Sequence, residues 1–177
     1  MGKTGHQLTG LAAGLLTAAA GWHFWGDASL AAIPSGIVGG TAPDWLEIAH
    51  AEFSPARQKW VRVSVIPHRT ITHWWPLWVL ALAAAATLSL PVTSYHLFAL
   101  RIDIWHFVRP ACLGFIAGGF MHLIMDAPNP TGIPIASPFS RSRRSLHLWR
   151  SGNPWEPVAG LALAALSGFA LWVVVGW

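Results

Sequence analysis

Charge is scarce in this chain. Only 10% of its 177 residues are Asp, Glu, Lys or Arg, against 54% that are apolar. A soluble domain carries about a quarter charged residues, so the shortage excludes an ordinary soluble enzyme and points to a membrane protein. Cysteine is scarcer still: Cys112 stands alone in an apolar run, which excludes an internal disulfide. Acidic residues are few too, seven against eleven basic. In an apolar chain that surplus belongs to cytoplasmic loops rather than to nucleic-acid binding. A cleavable leader is not expected either. Lys3 and Leu11–Ala20 mimic a charged start and a short apolar region, but the apolar stretch runs on through Trp22-His23-Phe24-Trp25 without a clean cleavage site. Nor does Met1-Gly2 signal myristoylation, because His6 stands where Ser or Thr is wanted. One domain covering 1–177 is expected at this length.

What the chain does have is apolar runs. Trp74–Val92, Pro110–Ala127 and Val158–Trp177 each approach the ~20 residues that cross a bilayer, and Gln7–Gly26 is a fourth. Ala28–Trp45 is glycine-rich and broken by Pro34 and Pro43, yet carries no charge before Asp44. If it crosses, Lys3, Arg57, Lys59, Arg62, Arg69, Arg141, Arg143, Arg144 and Arg150 share a side, and only Arg101 and Arg109 lie opposite. If it does not, Lys3 joins the minority. The positive-inside rule favours the first arrangement. The sequence thus predicts an all-α polytopic bundle of about five spans with a cytoplasmic N-terminus. In that arrangement His6, Asp44, His68, His73, His122, Asp126 and Glu156 all lie near the cytoplasmic ends of their helices.

A four-residue rhythm agrees. Residues four apart share a helix face, drifting by about 40° per step. The strips are His6, Gly10, Gly14; Gly36, Gly40, Asp44; Gly114, Gly118, His122, Asp126; and Glu156, Gly160, Ala164, Gly168. Small-residue strips let membrane helices approach closely, so these faces are expected to meet and their polar ends to converge.

His122 and Asp126 form an i, i+4 pair that can hold a divalent ion, Zn²⁺ foremost, or Mn²⁺ or Fe²⁺; the same pair can equally tie helices together by a hydrogen bond. In His68-Arg69-Thr70-Ile71-Thr72-His73, Pro67 predicts a helix start, with His68 in the first turn and His73 within the helix. Arg69 either holds an anionic substrate or snorkels to the interface. Asp44 is a candidate ligand. Glu47, three residues on, is a candidate ligand or general base, or else a solvated interface residue. Glu156 is a further acid–base candidate. The run Ser140-Arg141-Ser142-Arg143-Arg144-Ser145 fits anionic lipid headgroups through Arg141, Arg143 and Arg144.

Several motifs occur together in order: Thr4-Gly5-His6, Gly39-Gly40-Thr41-Ala42-Pro43-Asp44, His68-Arg69-x-x-Thr72-His73, His122-x-x-x-Asp126, Asn129-Pro130-Thr131-Gly132 and Ser137-Pro138-Phe139-Ser140. From His6 to about Glu156 the chain resembles the YdjM-type inner-membrane, metal-dependent hydrolases. The resemblance implies a helical bundle in the bacterial inner membrane with a metal near the cytoplasmic face, held by His6, Asp44, His68, His73, His122 and Asp126. It also implies a link to LexA binding and a distant likeness to zinc-dependent phospholipase C and P1 nuclease folds. Two positions depart from the family pattern: Leu46 stands where a second acid is frequent, and Trp74 where serine is frequent.

Three functions compete at this point. One is a hydrolase acting on a phosphoester or lipid-like substrate at the inner leaflet. Another is a scaffold with a structural metal that binds a cytoplasmic protein partner. The third, ion transport, predicts polar residues through the full membrane thickness, whereas these cluster at one end.

Overall fold

The computed structural model describes residues 2–87, 94–97, 100–140, 143–148 and 150–176. Arg141 of the predicted lipid-contact run, and the predicted span ends Val92 and Trp177, lie outside these residues. Helix α1 (Lys3–Trp25) runs into a 3₁₀ turn at Gly26–Ala31, then α2 (Ala32–Gly39) and the short α3 (Ala42–Trp45). An antiparallel hairpin follows, β1 (Ala49–Ser54) with β2 (Lys59–Ser64), Phe53 opposite Trp60. A 3₁₀ turn at Ile71–His73 precedes α4 (Trp75–Thr87), and a second ribbon, β3 (Ser94–Leu97) with β4 (Leu100–Asp103), leads to α5 (Ile104–Asp126). The two-residue strands β5 (Ile133–Pro134) and β6 (Arg143–Arg144) pair before α6 (Trp155–Val175). The chain is mostly helical, but three small ribbons correct the all-α expectation.

α1 is the hub, packed against α2, α5 and α6, while α4 leans on α5. The small-residue strips are what make this possible. A Cβ added at Gly10 would lie 2.5 Å from the Gly36 carbonyl oxygen, and one at Gly36 would lie 2.6 Å from that of Gly10. A Cβ at Gly118 would collide with the same Gly36 oxygen, and one at Gly114 with that of Ala32. Backbone therefore meets backbone between α1, α2 and α5. On α6 the buried strip is Glu156, Gly160, Ala164 and Ser167. The 40° drift has shifted the last position from the expected Gly168 by one residue.

Among the described residues, α5 over His106–Asp126 and α6 are long and apolar enough to cross a bilayer. α4 is apolar but shorter, and α1 matches the two in length but not in hydropathy. Ala28–Trp45 is split between the end of a 3₁₀ turn, α2 and α3. What the structure supports is two helices able to span a membrane within a mostly helical chain; the five-span count goes beyond it. α6 carries Val158, Leu161, Leu166, Phe169, Trp172 and Val173 exposed, a surface suited to lipid. α5 also starts earlier than expected, at Ile104, with Pro110 inside it.

Trp78 fixes the chain just before the first turn of α4. Its ring packs where a Cβ on Gly119 would stand, and its Nε1–H donates to the Thr72 carbonyl at 2.8 Å. With Ala42 and Leu123 it forms a buried cluster that locks the residue before His73 onto α5.

Candidate metal centre

Each site residue arrives on a different element. His6 lies in the first turns of α1, Asp44 on α3, and Glu47 directly after it. His68 and Arg69 occupy a turn, His73 the 3₁₀ segment, and His122 and Asp126 the end of α5. The α1–α2 contact sets the level of the first two, because a Cβ on Gly40 would stand 2.5 Å from the His6 carbonyl oxygen. The expected helix start at Pro67 is not found. Arg69 has φ +59°, and α4 begins at Trp75 with Pro76 in its first turn, so His68 and His73 converge through a turn.

The convergence is tight. His122 Nε2 and His73 Nε2 are 3.3 Å apart. Asp44 Oδ1 lies 3.6 Å from His73 Nε2 and 3.8 Å from His122 Nε2. Asp126 Oδ2 lies 3.9 and 3.8 Å from the same two nitrogens. Bonds of about 2.0–2.1 Å at a tetrahedral ion place neighbouring donors about 3.3–3.4 Å apart, so this spacing is close to a ligand shell. Three overlapping groups have metal-ligand spacing: Asp44, Glu47, His68, His73; His6, Asp44, His122; and His73, His122, Asp126.

The tautomers fit as well. His122 Nδ1 faces the Gly40 carbonyl at 2.8 Å. A carbonyl only accepts, so the proton sits on Nδ1 and Nε2 keeps its lone pair. His73 Nδ1 lies 3.4 Å from Glu47 Oε1, an acceptor of the same kind, and 3.1 Å from the Thr72 hydroxyl. The two Nε2 atoms face each other between two carboxylates, all buried except the partly exposed Asp44. Acceptors behind the Nδ1 atoms hold histidine ligands in register.

A sequence model described as YdjM inner membrane protein matches residues 1–177. The chain belongs to the YdjM inner membrane protein family. No curated protein and no solved structure matches it. Family membership and the two apolar helices make this a membrane protein.

In this YdjM-family chain Arg69 neither snorkels nor stands free. It is buried, with Nη2 3.0 Å from Asp126 Oδ2, Nη1 donating to the Gly132 carbonyl at 2.7 Å, and its backbone N–H donating to Glu47 Oε1 at 3.1 Å. Glu47 is not a solvated interface residue; it is fully buried and accepts from His68 Nδ1 at 2.7 Å. Asp44, on the short α3 outside the two long apolar helices, has its carboxyl held down at about 2. Burial acts upward, but the side chains of His73, His122 and His6 beside it outweigh burial. Asp44 is therefore ionised at neutral pH, as a ligand must be.

Glu156 is not gathered with the others. Its Oε2 accepts from the backbone N–H of Gly2 at 2.8 Å and of Gly152 at 3.1 Å, tying the start of α1 to the loop before α6. Glu156→Ala should lower stability by about 1–3 kcal/mol through those unmet donors, while metal content stays at the wild-type value. Thermal melting and elemental analysis on one preparation read both. Glu47→Gln replaces an obligate acceptor behind His68 and His73. We expect a roughly 10–100-fold weaker metal affinity, measured by competition with a chelating dye.

Sequence reasoning missed the partners that hold the site together. The Arg69–Asp126 pair has no local spacing to announce it. Asn129, buried beside the cluster, was visible only as part of a motif.

Proposed function

We propose that this protein is a membrane-bound, metal-dependent hydrolase acting on a phosphoester or lipid-like substrate at the inner leaflet. The supporting observation is the pair of Nε2 atoms of His73 and His122, 3.3 Å apart between two carboxylates, beside an open cavity. In this reading His73, His122, Asp126 and Asp44 hold the ion, with His6 beside them, its ring stacked on that of His122 at 3.6 Å. Zn²⁺ suits this donor set best, with Mn²⁺ or Fe²⁺ as alternatives. A bound ion supplies Lewis acidity, which acidifies water and polarises the scissile bond.

The chain's own residues do the rest. His68 is half exposed, lines the cavity and is fixed through Nδ1 by Glu47, so it is placed to carry protons between site and solvent. Arg69 holds Asp126 in place and keeps its guanidinium at the cavity wall. In the same reading the site lies on the cytoplasmic side, where the positive-inside rule would set the basic loops.

The test is metal analysis of the purified protein, followed by hydrolysis assays on phosphomonoesters, phosphodiesters and phospholipids. Turnover lost on chelation and restored by added metal supports the reading. Absence of metal sinks it. Stoichiometric metal without turnover on any of these would instead assign a structural ion in a scaffold.

A further inference from the structure

Beside the metal cluster lies a cavity of about 430 Å³ with two chemically different walls. One wall is the donor set itself. The other is formed by Arg62, Arg143, Asn129, Thr131 and Ser151, and includes no carboxylate. Arg62 projects from β2, its Nη2 3.6 Å from Glu47 Oε2, and Arg143 from β6, both exposed at the mouth.

Asn129 is the informative member. It is only 4% exposed and held by its backbone: its N–H donates to the Asp126 carbonyl at 3.0 Å, and its carbonyl accepts from Gly132 N at 2.8 Å and from Ser145 Oγ at 2.5 Å. Its side-chain orientation is fixed as well, because Oδ1 accepts from the Ser151 N–H at 3.1 Å. The Nδ2 amide is thereby committed as a donor, and among the described residues no protein group accepts from it. A buried donor without an acceptor is costly, and here it belongs to a residue lining a cavity rimmed by two arginines.

We infer that the Arg62, Arg143 and Asn129 wall is a subsite for the phosphate group of the substrate, set against the metal donors so that the phosphorus–oxygen bond lies between them. This rests on the hydrolase reading for its chemistry, but not for its binding. The guanidinium groups and the Asn129 Nδ2 amide are donors, and the non-bridging oxygens of a phosphate group are charged acceptors. A carboxylate substrate would leave part of this wall unanswered, and a neutral ester nearly all of it.

The test uses the full-length protein in detergent, wild type and Arg143→Gln, Asn129→Asp and Arg62→Gln. Each is titrated calorimetrically with inorganic phosphate and with dihexanoyl phosphatidic acid, and metal content is measured in parallel. Each variant should bind phosphate about tenfold or more weakly, the loss expected for one charge-assisted hydrogen bond, with metal content unchanged. Arg143 is exposed, so its replacement reads out even if Asn129→Asp fails to fold. A parallel loss with both probes supports the subsite, and the tighter probe tells whether a lipid headgroup or a free phosphate is its source. Affinities within twofold of wild type in Arg143→Gln and Arg62→Gln would overturn it, as would no phosphate binding by the wild type. Failure of the hydrolase reading looks different: metal would be absent from wild type, while the phosphate titrations would still separate wild type from variants.

Discussion

His122→Ala is expected to strip the purified protein of metal, with affinity falling by at least about 100-fold. Of the candidate ligands it is the most firmly built in. Its Nδ1 is anchored on the Gly40 carbonyl, its ring stacks on His6, and its Nε2 is 3.3 Å from that of His73. It also belongs to two of the three candidate ligand groups. Losing it removes a donor and leaves Asp44 and Asp126 facing His73 with half the imidazole shell gone. His23→Ala, an exposed histidine near the end of α1, is the control and should keep its metal. Elemental analysis of the two variants beside wild type decides the matter: equal metal in His122→Ala would reject the centre as drawn.

Gly36→Ala should be among the most damaging single methyls in the bundle. The added Cβ would lie 2.6 Å from the Gly10 carbonyl oxygen and 2.7 Å from Gly14 Cα, and the neighbours are backbone that cannot rotate aside. We expect destabilisation at the upper end of overpacking costs, about 3 kcal/mol or more, together with loss of metal, because α2 leads into Asp44. Gly168→Ala is the matched control, its nearest neighbour being the end of Leu15 at 3.9 Å. Thermal unfolding in detergent should separate the two clearly. Equal melting temperatures would mean that the helices are not in backbone contact.

The small-residue strips were legible in the sequence because a four-residue repeat is a property of one helix, and the helices are real. The strips on α1, α2 and α5 meet as their spacing implies, and the His122–Asp126 pair at the end of α5 needed only local spacing to be seen. The segment around His68 does not follow Pro67 into a helix, although a proline there favours a helix start. Long-range bonds decide its course instead: Arg69 to Asp126 and Gly132, and Trp78 to the Thr72 carbonyl. No local pattern encodes them. The β1–β2 hairpin escaped for another reason. Lys59-Trp60-Val61-Arg62-Val63-Ser64 alternates imperfectly, and with both faces largely exposed the period-two signal is weak. The span count was least legible of all, since apolar composition does not distinguish a crossing helix from one buried against its neighbours.

The backbone contacts at Gly10, Gly36, Gly40 and Gly118 have a consequence for ion choice. Helices that touch through their main chains have no side chains between them to compress or splay, so His6, Asp44 and His122 sit at fixed separations. A frame that cannot widen discriminates by radius. Calcium needs six to eight oxygen donors at roughly 2.3–2.6 Å, and this imidazole-rich shell offers neither the number nor the room. Magnesium prefers oxygen and retains its water. A frame held by glycine would thus turn calcium away by radius, while its imidazole donors rather than its width would disfavour magnesium.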